Sequence, residues 1–233
     1  MNLNGVFEKY EHQAYPYKFS GTIIVGRVVG GTPSDPKVAE GWIKSKVTAT
    51  DDAIRSSVAE IMAERGLEAT EAVEELARRK TLVGFKRDSN GLYIEGRQLK
   101  AGLKEAGNIR WPKRKWGPTN KGTMGFFSEH LFIAEDKLYL GVTEPSDIVQ
   151  SFVHTWRGSS VQYNEVVDEA KISFTLETDY DFTEEDWGLL WVTAQKEAIG
   201  AARSQGNGRF KLVQFDPLTP ETPKPKRTRK PTA

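Results

Sequence analysis

The sequence contains no cysteine, so disulfides, zinc ribbons, thiolate clusters and a cysteine nucleophile are excluded. That absence suits a reducing, cytoplasmic setting. Long apolar runs are missing as well. Nothing approaches the roughly 18 residues of a membrane span, and the opening MNLNGVFEKYEHQ lacks the apolar core of a signal peptide. No membrane partner is therefore expected. The chain also lacks an excess of charge of either sign: 33 basic against 32 acidic residues leave a formal net charge of +1, which taken alone argues against a polyanionic ligand.

The distribution of that charge reverses the argument. Residues 108–122 (NIRWPKRKWGPTNKG) hold five basic residues and no acid, and residues 224–230 (KPKRTRK) hold five more and no acid. The rest of the chain has 23 basic against 32 acidic residues, a balance of −9. An acidic body carries two concentrated basic segments, which favours one binding surface over general stickiness. The composition is otherwise ordinary, 38% hydrophobic and 10% aromatic, and 233 residues suffice for a large core without covalent staples.

Patterning predicts an α+β chain. Phe19–Val29 is rich in β-branched residues and ends at Gly30-Gly31, a buried strand and a turn. After the loop TPSDP, Thr50 is placed to cap a helix with Ile54, Val58, Ile61 and Met62 on one stripe, and Thr70 to cap a second. Ser89-Asn90-Gly91 between apolar runs predicts a hairpin, RQLKAGLKEAG a short helix, and HLFIAEDKLYLGV (130–142) another hairpin. Ala170–Glu177 alternates as a half-buried strand. Thr183 then caps a helix that sets Trp187, Leu190, Trp191 and Ala194 on one face, and RFKLVQF returns as a strand. Two strand–helix–strand passages predict a ferredoxin-like (RRM-like) antiparallel sheet with helices on one face, elaborated by a helical insertion at about 33–82. The domain is expected to span 1–216, with a disordered basic tail at 217–233.

The glycine-rich segment IGAARSQGNGRF (199–210) is the sharpest local feature. A dinucleotide fingerprint follows a strand and opens a helix; here the order is helix, loop, strand, so that reading has no structural warrant. What remains is a loop whose backbone N–H groups approach an anion, with Arg203 and Arg209 as charge partners. The alternative is a plain helix C-cap and turn.

A helix, then GAARSQGNGRF, then a closing strand resembles the C-terminal glycine-rich loop of the RAMP superfamily, the ferredoxin-like proteins that include backbone and guide-processing subunits of CRISPR complexes. YIEGRQLKAGLKEA (93–106) is similar to that superfamily's motif of a strand end, a glycine and a helix opening with Leu and Lys, although Glu95 and Arg97 depart from its usual Pro or Ser. The resemblance implies RNA or another single-stranded nucleic acid across the sheet or against the loop. Arg203, Ser204, Gln205 and Arg209 would contact its backbone, Gly206 and Gly208 would allow close approach, and Arg97 and Lys100 would reach phosphates from the other motif. It also implies side-by-side homo-oligomers or membership of a larger complex.

The basic loop points to the same ligand on independent grounds. Arg110, Lys113, Arg114, Lys115 and Lys121 can neutralise phosphates, while Trp111 and Trp116 offer faces on which unpaired bases stack. The alternative is a solvated loop anchored by its tryptophans. For catalysis the candidates are thin. The resemblance implies either that His130 or His154 activates an RNA 2′-hydroxyl in a metal-independent endonuclease, or that Asp35 serves as the acid some members carry in a loop after the first strand; structural histidines and a turn-forming Asp35 are the alternatives. The expectation leans to a non-enzyme. The acids in ETDYDFTEED (177–186) are explained by a helix N-terminus and a turn, so no metal or cofactor is expected. A phage structural or adaptor protein, its basic segments meeting an acidic protein partner, is the remaining alternative.

Overall fold

The computed structural model describes residues 15–31, 51–155 and 158–218. Strand β1, Tyr17–Val29, is the centre of the fold. Its β-branched side chains Ile23, Val25 and Val28 point inward and are fully buried. On one side β1 pairs antiparallel with β10, Gly158–Thr178, and on the other with β11, Phe210–Pro217. The far end of β10 pairs antiparallel with β7, Leu131–Ile133.

Taken in chain order, β1, β7, β10 and β11 are the first, second, third and fourth strands of this core, and they lie side by side in the order fourth, first, third, second. A helix joins the first strand to the second and another joins the third to the fourth. These are α3, Gly96–Arg110, and α5, Glu184–Glu197. This is the ferredoxin-like arrangement expected from the sequence. The helices share the inner face, where Leu99 and Leu103 of α3 and Leu190, Trp191 and Ala194 of α5 meet Ile172, Phe174 and Leu176 of β10. Thr183 caps α5 as expected, its hydroxyl accepting from the Asp186 N–H at 3.1 Å, with Glu184, Glu185 and Asp186 in the first turn.

Two helices occupy the passage between β1 and α3: α1, Asp51–Arg65, and α2, Ala69–Thr81. The chain leaves the sheet at Gly30, whose N–H donates to Glu165 O, and returns at β2, Leu82–Val83, which pairs parallel with Tyr163 and Asn164. Exit and return are thus adjacent on β10. Glu165 locks the return point: its buried carboxylate accepts from the Phe85 N–H at 2.9 Å and from Arg87 Nη2 at 2.5 and 2.7 Å. The expected cap of α2 is corrected. Glu68, not Thr70, is the N-cap, in a reciprocal capping box with Glu71.

The Asn90-Gly91 hairpin forms as expected, with β3, Lys86–Asp88, against β4, Gly91–Glu95. The predicted hairpin at 130–142 does not. β7 and β8, Lys137–Tyr139, do not pair with each other; β7 pairs with β10 and β8 with β4. Each finds a neighbour already in place, a tertiary choice that local pattern does not carry. Beyond β8, β9, Asp147–Thr155, forms a long antiparallel arm with the first half of β10.

Candidate nucleic-acid interface

The structure divides the sequence-predicted residues among three places. The first is the glycine loop. After α5 the chain turns at Ala198 (φ 68°) and Gly200 (φ 81°), enters a short 3-10 turn at Arg203–Gln205, and leaves through Gly206 (φ 86°) and Gly208 (φ 78°). Two backbone hydrogen bonds pin the second arm of this loop: Ile199 N–H donates to Gly208 O at 2.9 Å, and Gly208 N–H donates to Arg27 O at 2.7 Å. Ser204, Gln205, Gly206 and Arg209 are exposed, and Arg209 has no ion-pair partner among the described residues.

Arg203 is different. Its guanidinium grips Glu105 on α3 with both terminal nitrogens, and that hydrogen bonding raises its pKa further above the usual arginine value. Arg203 holds the loop against the helix and is not a free phosphate ligand as it stands. Gly208 is buried, so its contribution is to the loop's shape rather than to an exposed amide.

The second place is the N-terminus of α3. Gly96 donates its N–H to Asp136 O at 2.9 Å, and a Cβ at this position would fall well inside 3.0 Å of the Glu135 carbonyl oxygen. The glycine of the strand-end motif is therefore required by the close passage of a neighbouring loop. Arg97 and Lys100 line a cavity of about 340 Å³ together with Glu95, Phe132, Glu135 and Asp136. Neither cation is idle. Arg97 pairs with Glu95, whose carboxyl is held below its ordinary pKa by hydrogen bonds first from Lys86 and then from Arg97. Lys100 lies over the Phe132 ring at 4.2 Å and donates to Ser128 O at 2.9 Å. Burial pushes the Lys100 pKa below the usual lysine value, with Lys104 adding repulsion.

The third place is the basic loop, and here an expectation is overturned. Trp116 is 1% exposed, stacked on Phe126 at 5.4 Å with its Nε1 donating to Thr123 Oγ1 at 3.0 Å, so it offers no face to a base. Arg114 is likewise committed. Its guanidinium sits 3.7 Å from the centre of the Trp116 ring and binds the buried Asp186 carboxylate at 2.5 and 3.1 Å. Lys121 pairs with Glu129. The segment expected to be an open loop carries a small ladder, β5, Lys115–Trp116, against β6, Lys121–Gly122, leading into α4, Thr123–His130. Arg110, Lys113 and Lys115 remain exposed and without an ion pair among the described residues. Trp111 is half-buried against Trp116 and Phe127.

The glycine loop and the helix start share α3: Glu105, the partner of Arg203, lies eight residues beyond Arg97, about 12 Å along the axis. Arg110, the first cation of the basic loop, ends α3 five residues beyond Glu105, about 8 Å along the axis, but the loop then leads away. Arg114 is tied to the first turn of α5, whereas the glycine loop follows its last, about 20 Å away along 14 residues.

One arrangement escaped the sequence reading. His130 Nδ1 bonds both oxygens of Asp179, at 2.8 and 3.0 Å, while the ring rests 4.2 Å from Phe126. Arg114, Trp116, Phe126 and His130 form one column of a cation and three rings, with a carboxylate bound at each end. The β7–β10 ladder brings Asp179 to His130: Leu131 lies across from Thr178, and these are the next residues out on either strand. His12, Asp35 and the tail from 219 onward lie outside the described residues, as does the side chain of His154. Among the described residues no three His, Asp or Glu side chains gather as a metal site, and no helix is long and apolar enough to cross a membrane.

Fold and loop together define a ferredoxin-like α+β protein with a glycine-rich turn between its last helix and last strand. No protein-family model matches the chain, and no curated protein does. Solved structures similar to it include a chain of the cryo-EM structure of the type III-B Cmr-beta bound to cognate target RNA, at 9% identity and a TM-score of 0.45 over 92% of this chain and 64% of that one. A chain of a type IV-B CRISPR complex is similar at 10% identity and a TM-score of 0.42, over 92% of this chain and 95% of that one. This chain thus spans less than two thirds of the first of these.

Proposed function

We propose that this protein binds single-stranded nucleic acid, RNA in particular, by its sugar–phosphate backbone, as one subunit of a larger or side-by-side assembly. The observation that carries the reading is the glycine loop. It presents Ser204, Gln205 and Arg209 outward, while a Cβ on Gly206 would meet nothing within 4 Å, so a strand has room to approach the backbone there. Hydroxyl, amide and guanidinium side-chain donors form a phosphate-directed set, while the N–H groups of Gln205, Gly206 and Gly208 are spent on Ala202 O, Arg203 O and Arg27 O. Arg97 and Lys100 supply a second contact along α3, reached by exchanging their present partners for phosphate. Arg110, Lys113 and Lys115 add a longer-range attraction.

The test is fluorescence anisotropy with labelled single-stranded RNA and DNA. A Ser204→Glu/Arg209→Glu variant is expected to bind about tenfold or more weakly, since each site then repels phosphate and one charge-assisted contact is lost. A 2′-hydroxyl preference shows as tighter binding of RNA than of DNA of the same sequence. A parent protein that holds neither strand at low salt overturns the proposal.

The His130–Asp179 pair favours a second reading, a metal-independent RNA endonuclease. The carboxylate orients the ring, and Nε2 would take the 2′-hydroxyl proton as that oxygen attacks phosphorus. A 2′,3′-cyclic phosphate forms as the P–O5′ bond breaks, the 5′-oxygen takes a proton from water, and the protonated His130 returns its proton to solvent. This reading expects RNA cleavage in EDTA that His130→Asn abolishes while the matching DNA survives. Intact RNA after prolonged incubation removes it.

A further inference from the structure

One amine of the structure is both desolvated and open to a cavity. Lys100 lines the cavity at the start of α3 with Gly96 and Arg97, with Phe132 and Ile133 of β7, and with Glu95, Glu135 and Asp136. At about 340 Å³ the cavity falls within the range that small-molecule sites occupy, about 300–1,000 Å³.

Three carboxylates line this cavity, yet Lys100 has no ion pair among the described residues. Glu95 is spent on Lys86 and Arg97, and Glu135 turns one oxygen to the Thr175 N–H at 2.8 Å. Lys100 Nζ lies instead 4.2 Å from the centre of the Phe132 ring and donates to Ser128 O at 2.9 Å. Lys104, one turn further along α3, sets a second positive charge beside it. Burial and a neighbouring cation are the two conditions under which a lysine gives up its proton more readily and becomes a nucleophile. The neutral amine still has a hydrogen for Ser128 O, which leaves its lone pair for attack.

We propose that Lys100 is a site of covalent imine formation, which takes an uncharged aldehyde with an aromatic or alkyl body into this cavity. Nζ adds to the carbonyl carbon, and a proton passes from nitrogen to the former carbonyl oxygen to give a carbinolamine. That hydroxyl takes a proton from solvent and leaves as water, while the nitrogen lone pair closes the C=N bond of a protonated imine. No oxidant or reductant takes part. Phe132 and Ile133 give the body of the aldehyde an apolar wall. An anionic group on it would have to take Arg97 from Glu95, an exchange that an uncharged body does not need. The proposal is independent of the nucleic-acid reading, because the occupant is a small carbonyl compound and not a strand.

The test incubates the full chain with benzaldehyde at neutral pH, fixes imines with cyanoborohydride and maps the benzylated lysines by peptide mass spectrometry. Lys100 is expected to be labelled about tenfold or more faster than Lys113, Lys115, Lys171 and Lys211, which are exposed and have no ion pair among the described residues. Its rate is expected to level off at a lower pH than theirs, because burial first and Lys104 second lower its pKa. Lys100→Arg keeps the charge but forms no imine, and is expected to lose the fast phase while the other lysines react as before. Labelling of Lys100 no faster than that of the exposed lysines, or a fast phase that survives in Lys100→Arg, overturns the proposal. So does faster labelling of Lys100 by formylbenzoate than by benzaldehyde, which would show that an anionic body is preferred.

Discussion

A Gly208→Ala variant is expected to melt roughly 10 °C below the parent, from a loss of about 3–5 kcal/mol. Two independent penalties meet at this residue. Its φ of 78° lies in the region that L side chains rarely adopt, and a Cβ there would sit well inside 3.0 Å of the Ile199 carbonyl oxygen, with Ile199 C and N at 3.0 Å. The chain has no room to yield. Gly208 is held between Arg27 O on β1 and the Ile199 N–H at the end of α5, so a shift that relieves the clash breaks a backbone hydrogen bond on one side or the other. Gly206→Ala is the internal control. Its φ of 86° carries the left-handed penalty, but nothing lies within 4 Å, and a cost of about 1 kcal/mol is expected. Thermal denaturation of the pair followed by circular dichroism checks both. Equal melting temperatures would show that close packing at Gly208 is not what closes the loop.

Trp116→Ala is expected to cost about 3–5 kcal/mol, again read as a fall in melting temperature. The indole lies at the meeting point of Phe126, Phe127, Tyr180 and Phe182, with ring centres 5.4 to 6.0 Å away, and it supports the Arg114 guanidinium on its outer side. Truncation leaves a cavity in the aromatic cluster, removes the donor to Thr123 Oγ1, and takes away the surface on which Arg114 rests above Asp186. Any loss of nucleic-acid binding in this variant would follow from a disordered loop. Lys113→Ala/Lys115→Ala separates the two effects: both side chains are exposed, so melting is expected to stay put while the salt dependence of binding shrinks. A Trp116→Ala protein that melts with the parent would contradict the buried position.

The core strands and α5 were legible because their signals are local. The β-branched run of β1, the alternation around Ala170, and Thr183 followed by three acids each act through backbone geometry within a few residues. The hairpin at Ser89-Asn90-Gly91 was legible for the same reason. Where the reading failed, the deciding partner was distant in the chain. β7 and β8 alternate like a hairpin but meet β10 and β4 instead, and the long arm of β9 with β10 was missed.

The candidate site divides in the same way. That a glycine-rich turn joins the last helix to the last strand is written in the chain, as is the concentration of cations around two tryptophans. Which cations of the two segments remain available is not. Arg203 is taken by Glu105, 98 positions away, and Arg114 by Asp186, 72 positions away.

By itself, then, the sequence determined the core strands, α3 and α5, the Thr183 cap, the order of the two strand–helix–strand passages and the uneven charge behind a near-neutral total. These depend on backbone preference and composition, which act residue by residue. The tertiary structure alone decided that Trp116 is core, that His130 has a carboxylate partner, and that Lys100 lies over the Phe132 ring beside a cavity. Burial, ion pairing and cross-strand register are properties of pairs of residues far apart in the chain, fixed only when β10 and β11 close on β1.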